Sequence, residues 1–241
     1  MNADTQTARI QLAAAYRLAA RFGLNEGISN HFTARAGESF LVLPHGLHFS
    51  EVTASRLLLV DRDAKVLEGE GEVEASAVFI HSRVLRARPD AHCVLHTHQP
   101  YATALTVIEN GRLLPVSQNA LRFHGRVAYD GVYQGAADHA EEGERLARAL
   151  GEKDVLFHAH HGVIVVGPSV AKAFDDLYFL ERAAMVQILA ESTGRPLAFI
   201  GDEVARGYVR ENRPNNLAKQ AIDHFAALLR MLDREEPAYR T

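Results

Sequence analysis

The 241-residue chain has one cysteine, no tryptophan and three methionines. A lone Cys93 excludes any disulfide within the chain and fits a reducing compartment, so a cytoplasmic location is expected. Nor is there an excess of positive charge. Lys and Arg number 26 against 30 Asp and Glu, giving a formal net charge of -4, which leaves no electrostatic footprint for nucleic acid or an anionic membrane. Long apolar runs are missing too. The opening "MNADTQTARIQLAAAYRLAARF" is interrupted by Arg9, Arg17 and Arg21, so it reads as an amphipathic helix rather than a leader. No stretch has the length of uncharged apolar sequence that a membrane span needs. What the chain does have in quantity is histidine, thirteen of them.

Periodicity and punctuation predict one α/β domain over residues 1–241, with about 201–241 a helical extension packed on it. The spacing predicts a first helix over Ala8 to Phe22, stopped by Gly23. An alternating segment follows over Ile28 to Arg35, then a short strand, Phe40 to Leu43, halted by Pro44 and Gly46. "RLLLVDRDAKVLEGEG" reads as two strands about an Asp-rich turn. Val73, Ala77, Ile80 and Val84 form one buried stripe of a helix ending before Pro89. "AHCVLHTH" is a strand, and "QPYATALTVIEN" opens a helix with Pro100 in its first turn. The stretch from Leu113 to Gly135 reads as strand and loop, "AADHAEEGERLARALG" as a charged helix, and "DVLFHAHHGVIVVG" as a hairpin turning at His161–Gly162. Ser169 caps a long helix ended by Gly194. A polar loop holding Pro214, Asn215 and Asn216 then leads to a last helix, Leu217 to Leu232.

Two histidine clusters stand out. On a strand, residues i and i+2 project from one face, so His96 and His98 of "VLHTHQP" can share an ion, since imidazole is a common ligand for divalent metals. An H-x-H triplet by itself is often incidental; a third ligand is required. "FHAHHGVIVVG" offers three candidates. If Phe157 to His161 is extended, His158 and His160 face one way and His161 sits at the turn, where Gly162 permits close approach by another group. A pair on one strand with a single ligand from a distant turn leaves coordination positions open for substrate.

The segments "GLNEGISNHFTAR", "LPHGLHFSEVTASRLLLVD", "RPDAHCVLHTHQPYATAL" and "HHGVIVVG" before a long helix resemble, in order and spacing, the class II aldolase/adducin superfamily. "EVTAS", "ARPD" and the terminal "LLRMLDREEPAYRT" are similar to its adducin-head branch. The resemblance implies a three-layer α/β/α fold around a mostly antiparallel sheet, assembled as a homotetramer. It also implies a divalent ion, zinc first and manganese second, held by His96, His98 and His161.

Departures from the family pattern narrow the chemistry. The catalytic glutamate of the members that cleave sugar phosphates falls here on Ala77, and the serine pair that binds phosphate reads Ala75–Ser76. Two further phosphate-binding positions read His31 and His45. Family resemblance therefore makes a sugar-phosphate aldolase or epimerase the weaker alternative. It favours a lyase, decarboxylase-like or aldolase-like, acting on a small non-phosphorylated carbonyl acid through a metal-bound enolate. Aldol cleavage needs a base, a role worth roughly 10²–10⁴ in rate, whereas loss of CO2 from a metal-chelated carbonyl acid does not. Glu74 and His81 are the candidates for proton transfer. His31, His45, Ser76, His124 and Tyr133 are the candidates for substrate contact. His92, His139 and His224 read as surface or packing residues, His158 as a residue orienting a ligand or as core, and Cys93 as a small buried hydrophobe. The competing class of function is a non-enzymatic, adducin-head-like assembly module that keeps a vestigial or structural metal.

Overall fold

The computed structural model describes residues 3–135, 139–211 and 214–241. Helix α1 spans Ala3–Arg21 and is followed by Gly23 at φ +66°, the left-handed conformation that ends helices. The strands are β1 His31–Ala36, β2 Ser39–Val42, β3 Leu58–Val60, β4 Val66–Glu68, β5 Cys93–Thr97, β6 Val127–Asp130, β7 Val155–His158 and β8 Gly162–Gly167. The other helices are α2 Ala75–Ala87, α3 Pro100–Thr106, α4 Gln118–Leu121, α5 Ala140–Leu150, α6 Val170–Glu191, α7 Asp202–Glu211 and α8 Pro214–Glu235.

The eight strands form one sheet in the order β4-β3-β2-β1-β5-β8-β7-β6. Every pairing is antiparallel except β6 with β7, so the expected mixed, mostly antiparallel α/β sheet is present. Period-two alternation sorts the core onto the two faces. Phe32, Ala34, Cys93, Leu95, Val163 and Val165 pack with α1, α3 and α6 in one apolar cluster. Phe40, Val42, Val94, Leu156, Ile164 and Val166 pack with α2 and α5 in the other. Three layers result, as the family resemblance implied. Buried Tyr16 ties α1 to β1: its hydroxyl donates to the Phe32 carbonyl at 2.7 Å and accepts from the Phe32 N–H at 2.8 Å, satisfying the polar tip of a buried ring.

Several boundaries differ from expectation. Helix α7 lies where sequence gave only a polar loop, and Pro214 opens α8 rather than breaking the chain before it, because proline is tolerated in a first helical turn. The segment read as strand and loop holds the short helix α4 as well as β6. Residues 136–138, part of the predicted charged helix, lie outside the described residues. Among the described residues no helix is long and apolar enough to cross a membrane.

Candidate metal centre

Strand register assembles the centre. In β5, Val94 faces the α2/α5 layer, so His96, two residues on, faces the same way. His31 of β1 is its cross-strand partner, and β8 runs along the other side of β5. His98 lies just past the end of β5, and His161 just before the start of β8. The two are brought together by Gly162. A Cβ there would stand 2.4 Å from the Thr97 carbonyl oxygen and 2.9 Å from the His98 ring, so the expected close approach is real. The sharp bend belongs instead to His160, at φ +56°. This corrects the reading of Phe157 to His161 as extended. β7 ends at His158, and the exposed His160 does not continue its face.

His96, His98 and His161 bring one ligand atom each within 4.8 Å of one another, with ring centroids 4.6–4.9 Å apart. The Nδ1–H of His96 donates to the Val163 carbonyl at 3.0 Å, and that of His98 to the Glu26 carboxylate at 2.7 Å. Their Nε2 atoms then face each other at 3.1 Å. With both outer nitrogens donating, two lone pairs converge on one point, an arrangement that a shared cation relieves. Burial and the surrounding imidazoles hold His96 well below the usual imidazole range, and burial with His98 and His158 beside it brings His161 down to about 4. Both are therefore the neutral imidazoles a metal requires. The Nδ1 of His161 is buried without a partner. The donor set fits a divalent ion that accepts imidazole nitrogen.

Glu26 gave no signal in the sequence, since a carboxylate in a turn 72 residues from His98 looks like ordinary surface. Its carboxylate accepts from the His98 Nδ1–H and so orients that ring. Glu26→Ala is expected to weaken divalent-ion binding by about 10- to 100-fold, measured by metal titration against a competing chelator. Unchanged affinity would show that His98 needs no partner.

A second group lies against the first. The His31 ring sits 5.0 Å from that of His96. Its Nδ1 meets His81 Nε2 at 2.7 Å and its Nε2 meets Ser76 Oγ at 2.8 Å. His81 Nδ1 meets Thr33 Oγ1 at 2.7 Å, and Ser76 donates to Glu74. Glu74 caps α2, accepting from the Ala77 N–H at 3.1 Å. Burial pushes its carboxyl up, but the Ser76 hydrogen bond, His31 and the Ala77 N–H outweigh that and bring it below its ordinary value. Burial takes His81 down to about 3.

His81 is therefore neutral in the fold and protonated below about pH 6.5 once unfolded. The unfolded state binds the extra proton, so this contribution to stability is present above pH 6.5 and lost as pH falls toward 3, by up to about 1.4 kcal/mol per pH unit. Urea midpoints of metal-free protein should drop between pH 7.5 and pH 5. Equal midpoints would contradict the buried neutral state.

Some expected residues do not reach the centre. His31 has both ring nitrogens hydrogen-bonded inside the protein and is 3% exposed, so it backs the site and leaves no atom for substrate. His124 precedes β6, whose first residue pairs with Val155, while its last pairs with His158 at the centre's end of the sheet. His124 thus lies at the opposite end. His45 is exposed, its N–H bonded to the Glu72 carbonyl. Tyr133, 52% exposed, stands 6.2 Å from His158 and 6.1 Å from His160, at the rim. Ala77 is 2% exposed within the apolar cluster beneath α2. His158 is held by Asp130 at 2.9 Å, and Asp130 in turn by Arg145 at 2.7 Å.

A three-histidine cluster lies at one end of a mixed eight-stranded sheet covered by helices on both faces, an α/β architecture. Residues 10–188 match the family described as Class II Aldolase and Adducin N-terminal domain. A Caulobacter vibrioides protein whose name assigns it provisionally to aldolase class 2 is 37% identical, over 96% of this chain and 91% of its own length. Rat alpha-adducin is 35% identical over 97% of this chain and 34% of its own length. The crystal structure of an aldolase II superfamily protein from Pseudomonas syringae superposes with a TM-score of 0.91 at 38% identity, covering 100% of this chain and 98% of that one. The chain belongs to the class II aldolase and adducin family.

Proposed function

We propose that the protein is a divalent-metal-dependent lyase that cleaves a carbon–carbon bond in a small, non-phosphorylated carbonyl acid. The observation that carries this is the convergence of three imidazoles with two of their outer nitrogens already hydrogen-bonded. Three protein donors leave a tetrahedral ion one position for substrate, and an all-imidazole set suits zinc, with manganese second. When bound, the ion supplies Lewis-acid polarisation of a carbonyl oxygen. Glu74 is the proton-transfer group, standing at the α2 N-terminus where an anion is favoured. Ser76 and His81 support it, and Tyr133 contacts substrate from the rim.

By family resemblance Ala75 and Ala77 replace a phosphate-binding hydroxyl and the glutamate of sugar-phosphate chemistry, and the burial of Ala77 in the core leaves Glu74 as the carboxylate at this end of α2. Loss of CO2 needs no base at bond cleavage, while Glu74 keeps aldol cleavage open. The test is elemental analysis of protein purified without added metal, followed by a screen of keto and hydroxy acids. About one ion per chain and metal-dependent release of CO2 or an aldehyde are expected. Turnover of sugar phosphates with no cleavage of any carbonyl acid would overturn the proposal.

The identity with rat alpha-adducin supports a second reading, an assembly module with a structural ion. That reading requires a fourth protein ligand closing the coordination sphere. A cytoplasmic homotetramer accords with either reading. Val107, Ile108, Val132 and Tyr133 are exposed near the centre and offer apolar surface for such contacts. Light scattering should give four times the chain mass, and a monomer in dilute solution would contradict it.

A further inference from the structure

Thr33, His81, His31, Ser76 and Glu74 form an unbroken line of hydrogen bonds, and its polarity follows from one end. An ionised carboxylate only accepts, so the Ser76 hydroxyl donates to Glu74. That spends the one proton on Ser76, whose oxygen must then accept from His31 Nε2–H, 2.8 Å away. A neutral imidazole protonated on Nε2 carries a lone pair on Nδ1, so His81 Nε2–H donates to His31 Nδ1 at 2.7 Å. By the same rule His81 Nδ1 accepts from the Thr33 hydroxyl at 2.7 Å. His31, Thr33 and His81 are 3%, 0% and 0% exposed, so water cannot substitute for a missing partner, and each buried nitrogen must take the role its neighbour leaves it.

We propose that Thr33, His81, His31 and Ser76 are a hydrogen-bond relay of fixed polarity, every donor directed toward Glu74, and that they act as positioning residues for its carboxylate. The relay joins two elements, β1 and the first two turns of α2, to a group one-third exposed at the site. His31 lies between Glu74 and the His96 ring. The purpose of the relay rests on the reading of Glu74 as the proton-transfer group; its polarity does not.

The test is ring-nitrogen NMR of the full ¹⁵N-histidine-labelled chain, metal-free and zinc-loaded, with His31 and His81 assigned by single substitution. Both should give a protonated-type Nε2 and an unprotonated-type Nδ1. An Nδ1–H form of either would overturn the proposal. Glu74→Ala removes the terminal acceptor, which frees the Ser76 proton to turn toward His31. The single pattern should become a mixture of tautomers at both histidines. Ser76→Ala should do the same, and Ser76→Thr should restore the parent pattern. Tautomers unaltered in both alanine variants would also overturn it. Turnover is read separately. Parent-like turnover in Glu74→Ala with altered tautomers would defeat the catalytic reading of Glu74 and, with it, the positioning role, while leaving the polarity standing.

Discussion

Replacing His96, His98 or His161 by alanine is expected to strip most of the bound divalent ion, lowering affinity by more than about 100-fold, a loss beyond that usual for removing an outer partner. Each variant leaves two imidazoles where three converged within 4.8 Å. The remaining pair loses chelation and keeps its buried lone pairs. His139→Ala, at the start of α5 and outside the cluster, should retain the parent's metal content. Inductively coupled plasma analysis after identical purification reads all four at once. Equal content in every variant would mean that the ligands lie elsewhere.

Ala77→Glu is expected to destabilise the chain by about 3 kcal/mol or more, because it forces a larger side chain and a carboxylate into a filled apolar cluster. Ala77 is 2% exposed and shares that cluster with Phe40, Val42 and Ile80. Burial would push the new carboxyl up and keep it neutral, the opposite of what an ionised base beside a cation requires. The structure therefore predicts a lower denaturation midpoint. A parent-like midpoint with gain in enolising a hydroxycarbonyl compound would return position 77 to the site.

That conflict was present in the sequence itself. Periodicity placed Val73, Ala77, Ile80 and Val84 on one buried stripe, while counting back from the "RPDA" segment placed Ala77 beside the metal. The stripe describes the core, with Ala77, Ile80 and Val84 buried and Val73 packed against them. Legibility followed the range of the interaction. Alternation along β5 was local, so His96 and the face it occupies could be read directly. The same rule failed across Phe157 to His161 because a left-handed His160 ended the extended run. Bonds between residues far apart in the chain left no periodic trace. His31 and His81 are 50 residues apart, and each is an unremarkable histidine until the sheet and α2 are packed together. His161 stood out by its place at the turn before Gly162, and family resemblance selected it over His158 and His160.

The proposed function requires an open three-histidine metal centre. The most direct measurement is X-ray absorption at the zinc edge of the zinc-loaded parent protein. Three imidazole nitrogens plus oxygen from solvent or a bound carbonyl acid are predicted, with the oxygen shell altered by ligand and the nitrogen shell lost in His161→Ala. A centre closed by four protein ligands, unmoved by any carbonyl acid, would contradict it.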